Sequence, residues 1–122
     1  MKNYDEAFRQ DVLDNPKDDA PRLVYADWLQ DNGDPDRAEF IRLQCRLLAL
    51  PEYDEQVPRL QAREEELLEA NRATWAKEVL PLVRDCKFRR GFVAWVELTG
   101  QQFTDNEDKL FASAPLEAPK NE

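Results

Sequence analysis

The fold is specified most strongly between Asp18 and Gln44, where the sequence is DDAPRLVYADWLQDNGDPDRAEFIRLQ. Apolar residues recur in this stretch at helical spacing, and the signals that start a helix occur twice. Asp19 is a good N-cap residue, and Pro21 is tolerated in the first turn because that turn does not need its missing N–H. The first half of the stretch therefore predicts a helix that begins near Asp19.

A tight turn and a second helix follow at once. Asn32-Gly33 ends the first helix, because glycine readily adopts the left-handed C′ conformation. Asp34 is predicted to cap the next helix, with Pro35 at its first position. Apolar residues nearly surround this second helix, which indicates that it is central to the core or covered by a partner. These residues are Ala38, Phe40, Ile41, Leu43, Cys45, Leu47, Leu48 and Leu50.

Other helices are predicted on both sides of this pair. They span Tyr4 to Leu13, Pro58 to about Asn71, a short segment marked by Trp75, Val79, Leu82 and Val83, and Phe103 to Ala112. Cys86 to Leu98 is rich in β-branched and aromatic residues around Gly91, which predicts a strand pair. The predicted class is α+β: mostly helical, with four to five helices around a central apolar helix, followed by a short antiparallel β-hairpin.

The length and charge of the chain limit the possible functions. With 122 residues the chain can form one core, and we expect a single domain over residues 1–116 and a disordered tail over residues 117–122. The 26 acidic residues outnumber the 17 Lys and Arg, giving a net charge of −9, so direct contact with nucleic acid is not expected. The first residues form no apolar signal segment, and no apolar stretch is long enough to span a bilayer. We therefore expect a cytoplasmic protein without a membrane partner.

The residue types that usually carry chemistry are scarce. The chain has no histidine, three glycines and two cysteines, Cys45 and Cys86, neither of which lies in a CxxC motif. Zinc sites of the Cys/His kind are therefore not expected, and two free thiols fit a reducing cytoplasm better than a disulfide does. Without a histidine base or a phosphate-binding glycine loop, we expect no enzyme, no catalytic residue, no cofactor and no metal. A metal-dependent hydrolase built on carboxylates is kept as an alternative.

The helical pair also resembles a known family, the bacterial repeat-companion domain, which often precedes leucine-rich repeats. The family pattern P-x-D-D-x-x-R-L-V-Y-A-D-W-L, then G-D, then A-E-F-I-R-x-Q, is matched at Pro16, Asp18, Asp19, Arg22–Leu29, Gly33-Asp34, Ala38–Arg42 and Gln44. Arg63-Glu64, Leu67-Leu68, Trp75 and Arg90-Gly91-Phe92 resemble its second half. The resemblance covers roughly residues 7–116 and implies no catalytic residues. In that family leucine-rich repeats would start near Phe111–Leu116, and none follows in this sequence. We therefore expect a stand-alone module that is recruited by a larger assembly.

Eight residues of the matched stretch are expected to be structural. They are Arg22, Tyr25, Asp27, Trp28, Gly33, Asp34, Glu39 and Arg42. The four charged residues within the helices are predicted to form a partly buried ion-pair network that fixes the helix crossing, and Glu39 and Arg42 are spaced to pair. A polar partner contact is the alternative. Tyr25, Trp28 and Trp75 are predicted to be core residues rather than an aromatic recognition surface.

The hairpin is the predicted contact for another protein chain. A two-stranded hairpin is marginal alone in water and leaves its strand edges unpaired. We expect Val93 and Trp95 on an exposed edge covered by a larger complex or by a second copy, and Phe92, Arg89 and Arg90 complete the candidate set. The predicted function is a non-catalytic protein–protein interaction module or accessory subunit of a bacterial cytoplasmic assembly. The alternative is a regulatory subunit of a nucleic-acid-processing complex that uses Lys87, Arg89 and Arg90.

Overall fold

A computed structural model describes residues 3–117 of the chain. Within this range the helices are α1 (Tyr4–Asp14), α2 (Asp19–Asp31), α3 (Pro35–Ala49), α4 (Val57–Trp75) and α5 (Gly100–Ser113). A 3-10 turn (Leu80–Leu82) leads into an antiparallel hairpin made of β1 (Asp85–Arg89) and β2 (Phe92–Glu97). The predicted α+β class, mostly helical with one short hairpin, is confirmed, and α5 follows the hairpin. No helix between residues 3 and 117 is both long enough and apolar enough to cross a membrane.

The turn between α2 and α3 has the predicted caps. Gly33 has a φ of 103°, and the Asp34 N–H donates to the Leu29 carbonyl at 3.0 Å, the bond that closes a Schellman motif. The Asp34 carboxylate in turn accepts a hydrogen bond from the Arg37 backbone N–H at 3.2 Å. Each end of the turn therefore satisfies backbone groups that a helix terminus leaves unpaired.

The helix predicted to begin near Asp19 does begin there, but its predicted cap and one predicted short helix are wrong. Asp18, not Asp19, caps α2, because its carboxylate accepts a hydrogen bond from the Ala20 N–H at 3.1 Å. The short helix predicted between Trp75 and Val83 is instead the end of α4 followed by the 3-10 turn. Pro81 lies in that turn and lacks the N–H that a continuing α-helix would need.

Helix α3 occupies the centre of the molecule, as predicted, and packs against α2 and α4. Its buried residues are Ala38, Phe40, Ile41, Leu43, Gln44 and Cys45, whereas Leu48 remains exposed. One buried apolar cluster joins α1, α2 and α3 to Phe92 of β2. A second cluster joins Val93 to α5 and to the segment after α4. Adjacent residues of β2 therefore belong to different clusters.

The hairpin turn requires glycine at its second position. Arg90 and Gly91 have φ values of 53° and 85°, so both central residues are left-handed, as in a type I′ turn. A Cβ on Gly91 would lie 2.8 Å from the Ile41 Cα. The Gly91 N–H also donates to the Gln44 Oε1 at 2.7 Å, which fixes the turn on α3.

Residues of a regular strand alternate between its two faces, and a bulge in the hairpin breaks this alternation in β2. Phe88 is opposite Val93 and Lys87 is opposite Trp95, so Ala94 is an extra residue in β2. As a result Phe92, Val93 and Ala94 are consecutively buried. Val93, predicted on the exposed side, is therefore turned into the core.

The segment after α5 runs beside β2. The Glu117 N–H donates to the Ala94 carbonyl at 2.9 Å, and the Glu117 carboxylate accepts from the Trp95 indole N–H at 2.8 Å. Glu117, predicted to begin a disordered tail, is thus part of the fold because β2 binds it. The rest of that predicted tail, 118–122, lies outside the described residues.

Candidate functional site

The apolar part of the predicted partner surface is mostly internal. Val93 is 4% exposed and Phe92 is likewise buried, so both pack in the chain's own core. Trp95 is 42% exposed, although its indole is held by Glu117 and lies under the Lys87 ammonium, 5.7 Å from the ring centroid. The expectation that Val93 lies on an exposed edge is therefore wrong, whereas Trp95 of the candidate set keeps an exposed aromatic surface.

The arginines of the predicted surface are engaged by this chain's own acids. Arg89 Nη1 lies 3.1 Å from a Glu117 carboxylate oxygen, and Arg90 Nε lies 2.8 Å from Asp19 Oδ1. With Lys87 over Trp95, each cation of the hairpin already has a partner. These contacts weaken the alternative of a nucleic-acid-binding patch formed by these three side chains.

The hairpin edges are also occupied at two positions. On β2 the Ala94 carbonyl accepts the Glu117 N–H. On β1 the Cys86 carbonyl accepts from Arg72 at 3.2 Å, and the Cys86 N–H donates to the Asp85 carboxylate, which itself pairs with Arg72. Side-chain and backbone groups that block an edge in this way disfavour the addition of a partner's strand.

The predicted ion-pair network divides into two separate pairs. Arg42 contacts Asp27 at 2.7 Å and joins α3 to α2. Arg63 donates hydrogen bonds to both Glu39 carboxylate oxygens at 2.8 Å and so joins α4 to α3. These hydrogen bonds lower the pKa of Glu39. The predicted Glu39–Arg42 pair is wrong because each side chain reaches a neighbouring helix instead. All four side chains are well exposed, so the pairs orient helices more than they stabilise them.

Arg22, the remaining member of the predicted network, takes part in neither of these pairs. It is buried, donates to the Asp18 carbonyl at 2.9 Å and lies 5.6 Å from the Phe92 ring centroid. Burial lowers the pKa of its guanidinium, with a further contribution from Arg90. Arg22 therefore packs against Phe92 of the hairpin and does not belong to the ion pairs that join the helices.

Tyr25, Trp28 and Trp75, the aromatic residues predicted to lie in the core, each pack against another aromatic ring. Tyr25 is buried and its hydroxyl donates to Asp5 at 2.6 Å; burial, reinforced by that bond, raises the pKa of Tyr25. Trp28 is partly exposed and stacks on Tyr25 with ring centroids 6.2 Å apart. Trp75 packs on Phe40 at 4.8 Å.

A cleft in the structure is lined by a residue that sequence reasoning missed, Arg37. This cleft of about 350 Å³ lies among α1, the end of α4, β2 and the end of α5. The guanidinium carbon lies 5.3 Å from the Trp75 ring centroid and 5.1 Å from that of Phe92. Arg37 Nη2 donates to the Gly91 carbonyl at 3.0 Å. An arginine four residues before Ile41, on the apolar side of α3, was the signal that could have identified it.

Arg37 has an unusual electrostatic environment. No ion pair within residues 3–117 includes Arg37, and its buried Nε has no hydrogen-bond acceptor. Burial lowers the pKa of the guanidinium, which nevertheless stays charged. Two aromatic faces and one carbonyl contact the guanidinium, and the charges of Asp34 and Asp5 also favour its charged form.

Both cysteines are free thiols, as predicted, and both are buried. Burial raises the pKa of Cys45 to about 11 and also raises that of Cys86, so both are weak nucleophiles at neutral pH. Among residues 3–117, no three Cys, Asp or Glu side chains are grouped so that they would hold a metal ion.

Comparison with family models, curated proteins and solved structures gives no match to this chain.

Proposed function

We propose that this chain is a non-catalytic protein-interaction module, an accessory subunit of a bacterial cytoplasmic assembly, and that it docks through α5. The observation that carries this proposal is the outer side of that helix. Phe103 is 41% exposed and Phe111 is 47% exposed, and Glu107 lies midway between them. Spacings of four residues place the three on one side of α5. They are called the α5 stripe below.

Helix α5 is well anchored although its stripe is exposed. Thr99 and Gln102 form a capping box at its start. On its inner side Leu110 is fully buried, and the Asn106 amide donates to the Leu82 carbonyl at 3.4 Å. A rigid helix that presents apolar anchors about two turns apart suits a partner with a hydrophobic groove, because little conformational entropy is lost on docking.

Charge indicates what kind of partner this would be. Three acids, Asp105, Glu107 and Asp108, and one base, Lys109, are exposed on α5, and the whole chain carries −9. A groove rimmed by Lys or Arg would complement this surface. Symmetric pairing of two α5 stripes would bring two Glu107 carboxylates together, which favours a different protein over a second copy. The resemblance of Asp18–Gln44 to the repeat-companion family, whose members accompany other modules, also supports the proposal.

The test compares the full chain with Phe103→Ser/Phe111→Ser and with the control Tyr53→Ser, which removes an exposed aromatic side chain from the α3–α4 connection. Proteins of the native host that the full chain retains are identified and purified. Each of them is then titrated against each variant by calorimetry. We expect the double variant to lose at least about 100-fold in affinity, since two buried anchors are removed, and the control to bind like the wild type.

The same experiment has results that would contradict the proposal. The double variant could stay folded by circular dichroism and bind its partner undiminished, which would exclude the α5 stripe. Sedimentation could instead show that the wild-type chain self-associates through the stripe, which would replace the accessory subunit with a homodimer.

A further inference from the structure

A second site, separate from the α5 stripe, lies in the cleft that Arg37 lines. The walls of the cleft are apolar at Leu13, Trp75, Val79, Phe92 and Val93. Its charged lining consists of Arg9, Arg37 and Lys77 against Glu6 and Glu78. The cleft therefore combines apolar side chains with a larger polar lining and a small excess of positive charge, in a chain that is strongly acidic overall.

The cations of the cleft are not equally available to a ligand. Arg9 lies 3.0 Å from Asp5 and 3.8 Å from Glu78, so acids of this chain already engage it. Neither Arg37 nor Lys77 takes part in an ion pair within residues 3–117. These two residues can therefore bind an anion without breaking an existing ion pair.

Arg37 carries donor capacity that the fold does not use. A guanidinium has five N–H donors, and here one nitrogen bonds the Gly91 carbonyl while the buried Nε has no acceptor. A buried donor without a partner is costly, more so when it is charged. Arg22 shares the unsatisfied Nε but does not line the cleft. The combination of an unpaired cation, an unmet donor and a concave apolar wall occurs at Arg37.

We infer that this cleft binds a carboxylate attached to an apolar body, with Arg37 as the anchoring cation and Lys77 at the rim. A planar carboxylate matches the guanidinium fork, and the aromatic and aliphatic wall accommodates the rest of the ligand. A phosphate dianion fits less well, because it would bring more negative charge toward Glu6 and Glu78. The carboxylate can belong to a small acid or to the C-terminus of a peptide.

The test follows the Arg37 Nε–H by ¹H–¹⁵N NMR in the full chain during titration. The probes are phenylacetate, acetyl-Gly-Gly-Phe with a free C-terminus, its C-terminal amide and inorganic phosphate. We expect saturable shifts with a Kd at or below about 1 mM for at least one of the two carboxylates. The carboxylate with the lower Kd shows whether the natural ligand is a small acid or the C-terminus of a peptide. The peptide amide and phosphate should bind at least about tenfold more weakly than that carboxylate.

Two variants assign the binding to the cleft. Arg37→Lys keeps a charge but loses the planar fork, and should weaken the carboxylate at least about tenfold, whereas the exposed control Arg59→Lys should not. Ala112→Trp fills the cleft from the end of α5 without removing a hydrogen bond, so it decides the question if Arg37→Lys fails to fold.

Three results would overturn the inference. They are the absence of saturation by either carboxylate below about 10 mM, phosphate binding as tight as carboxylate binding, and undiminished binding by Ala112→Trp. Phe103→Ser/Phe111→Ser should leave these titrations unchanged, so the outcome is independent of the proposed docking role of the α5 stripe.

Discussion

At the scale of single residues, what could be predicted from the sequence depended on how far apart the partners lie. Gly33 and Asp34 were predicted because helix caps act within a few residues, and the Asp34 carboxylate bonds a backbone group three residues away. Arg37 and Arg89 bond partners 54 and 28 residues away, and no local pattern announces such contacts. The roles of Arg37 and Glu117 therefore became visible only in the folded chain.

Alanine substitution of the three glycines tests the backbone geometry. Gly91→Ala should destabilise the fold by about 2 kcal/mol or more, because φ is positive and the new Cβ meets Ile41. Gly33→Ala should cost about 1 kcal/mol, since φ is positive but the space is open. Gly100→Ala should change stability by less than about 0.5 kcal/mol. Urea denaturation measures all three, and equal losses at Gly33 and Gly91 would contradict the close contact between the turn and α3.

At the scale of elements, α3 was predicted well and β2 poorly. The apolar residues of α3 repeat with helical period, and that period survives in the structure at Ala38, Ile41 and Cys45. In β2 the alternating pattern assumed a regular ladder, whereas the bulge at Ala94 turns Val93 inward. A bulge adds one residue without a distinctive composition, so the sequence pattern placed Val93 on the exposed side.

Gln44 connects three elements. From α3 its Oε1 accepts the Gly91 N–H at 2.7 Å, and its Nε2 donates to Glu64 of α4 at 2.9 Å. Gln44→Met keeps the volume but leaves the buried Gly91 N–H without an acceptor, so we expect a loss of about 1–3 kcal/mol in unfolding free energy. The exposed Gln30→Met is the matched control. Equal urea midpoints for the two variants would show that Gln44 does not hold the hairpin on α3.

The Glu39–Arg63 pair predicts a pH dependence. Arg63 lowers the pKa of Glu39 below its unfolded value, so the pair stabilises the fold above that value and ceases to do so as pH falls through the folded pKa. Glu39→Gln should therefore cost a little stability at pH 7 and nothing once Glu39 is protonated. Thermal melts across this acidic range measure the difference. Glu65→Gln serves as the control, and a Glu39→Gln effect that persists in strong acid would contradict the electrostatic account.

At the scale of the whole molecule, the hairpin joins two apolar clusters. Phe92 completes the cluster of α1–α3, Val93 completes the cluster with α5, and Glu117 covers β2 at Ala94. Composition and helical spacing were enough to predict the fold class. They were not enough to predict which surface remains exposed, because exposure depends on how distant elements pack. The α5 stripe is one of the apolar surfaces that this packing leaves exposed.

The central claim is that a partner contacts α5 rather than the hairpin. Amide hydrogen exchange of the full chain, alone and in the complex purified from its native host, tests this most directly. The account predicts that the amides of Gly100–Ser113, which include those of Phe103 and Phe111, exchange more slowly in the complex. The amides of Asp85–Glu97 should exchange at an unchanged rate. Added protection across Asp85–Glu97 with α5 unchanged would contradict it and restore the hairpin as the interface.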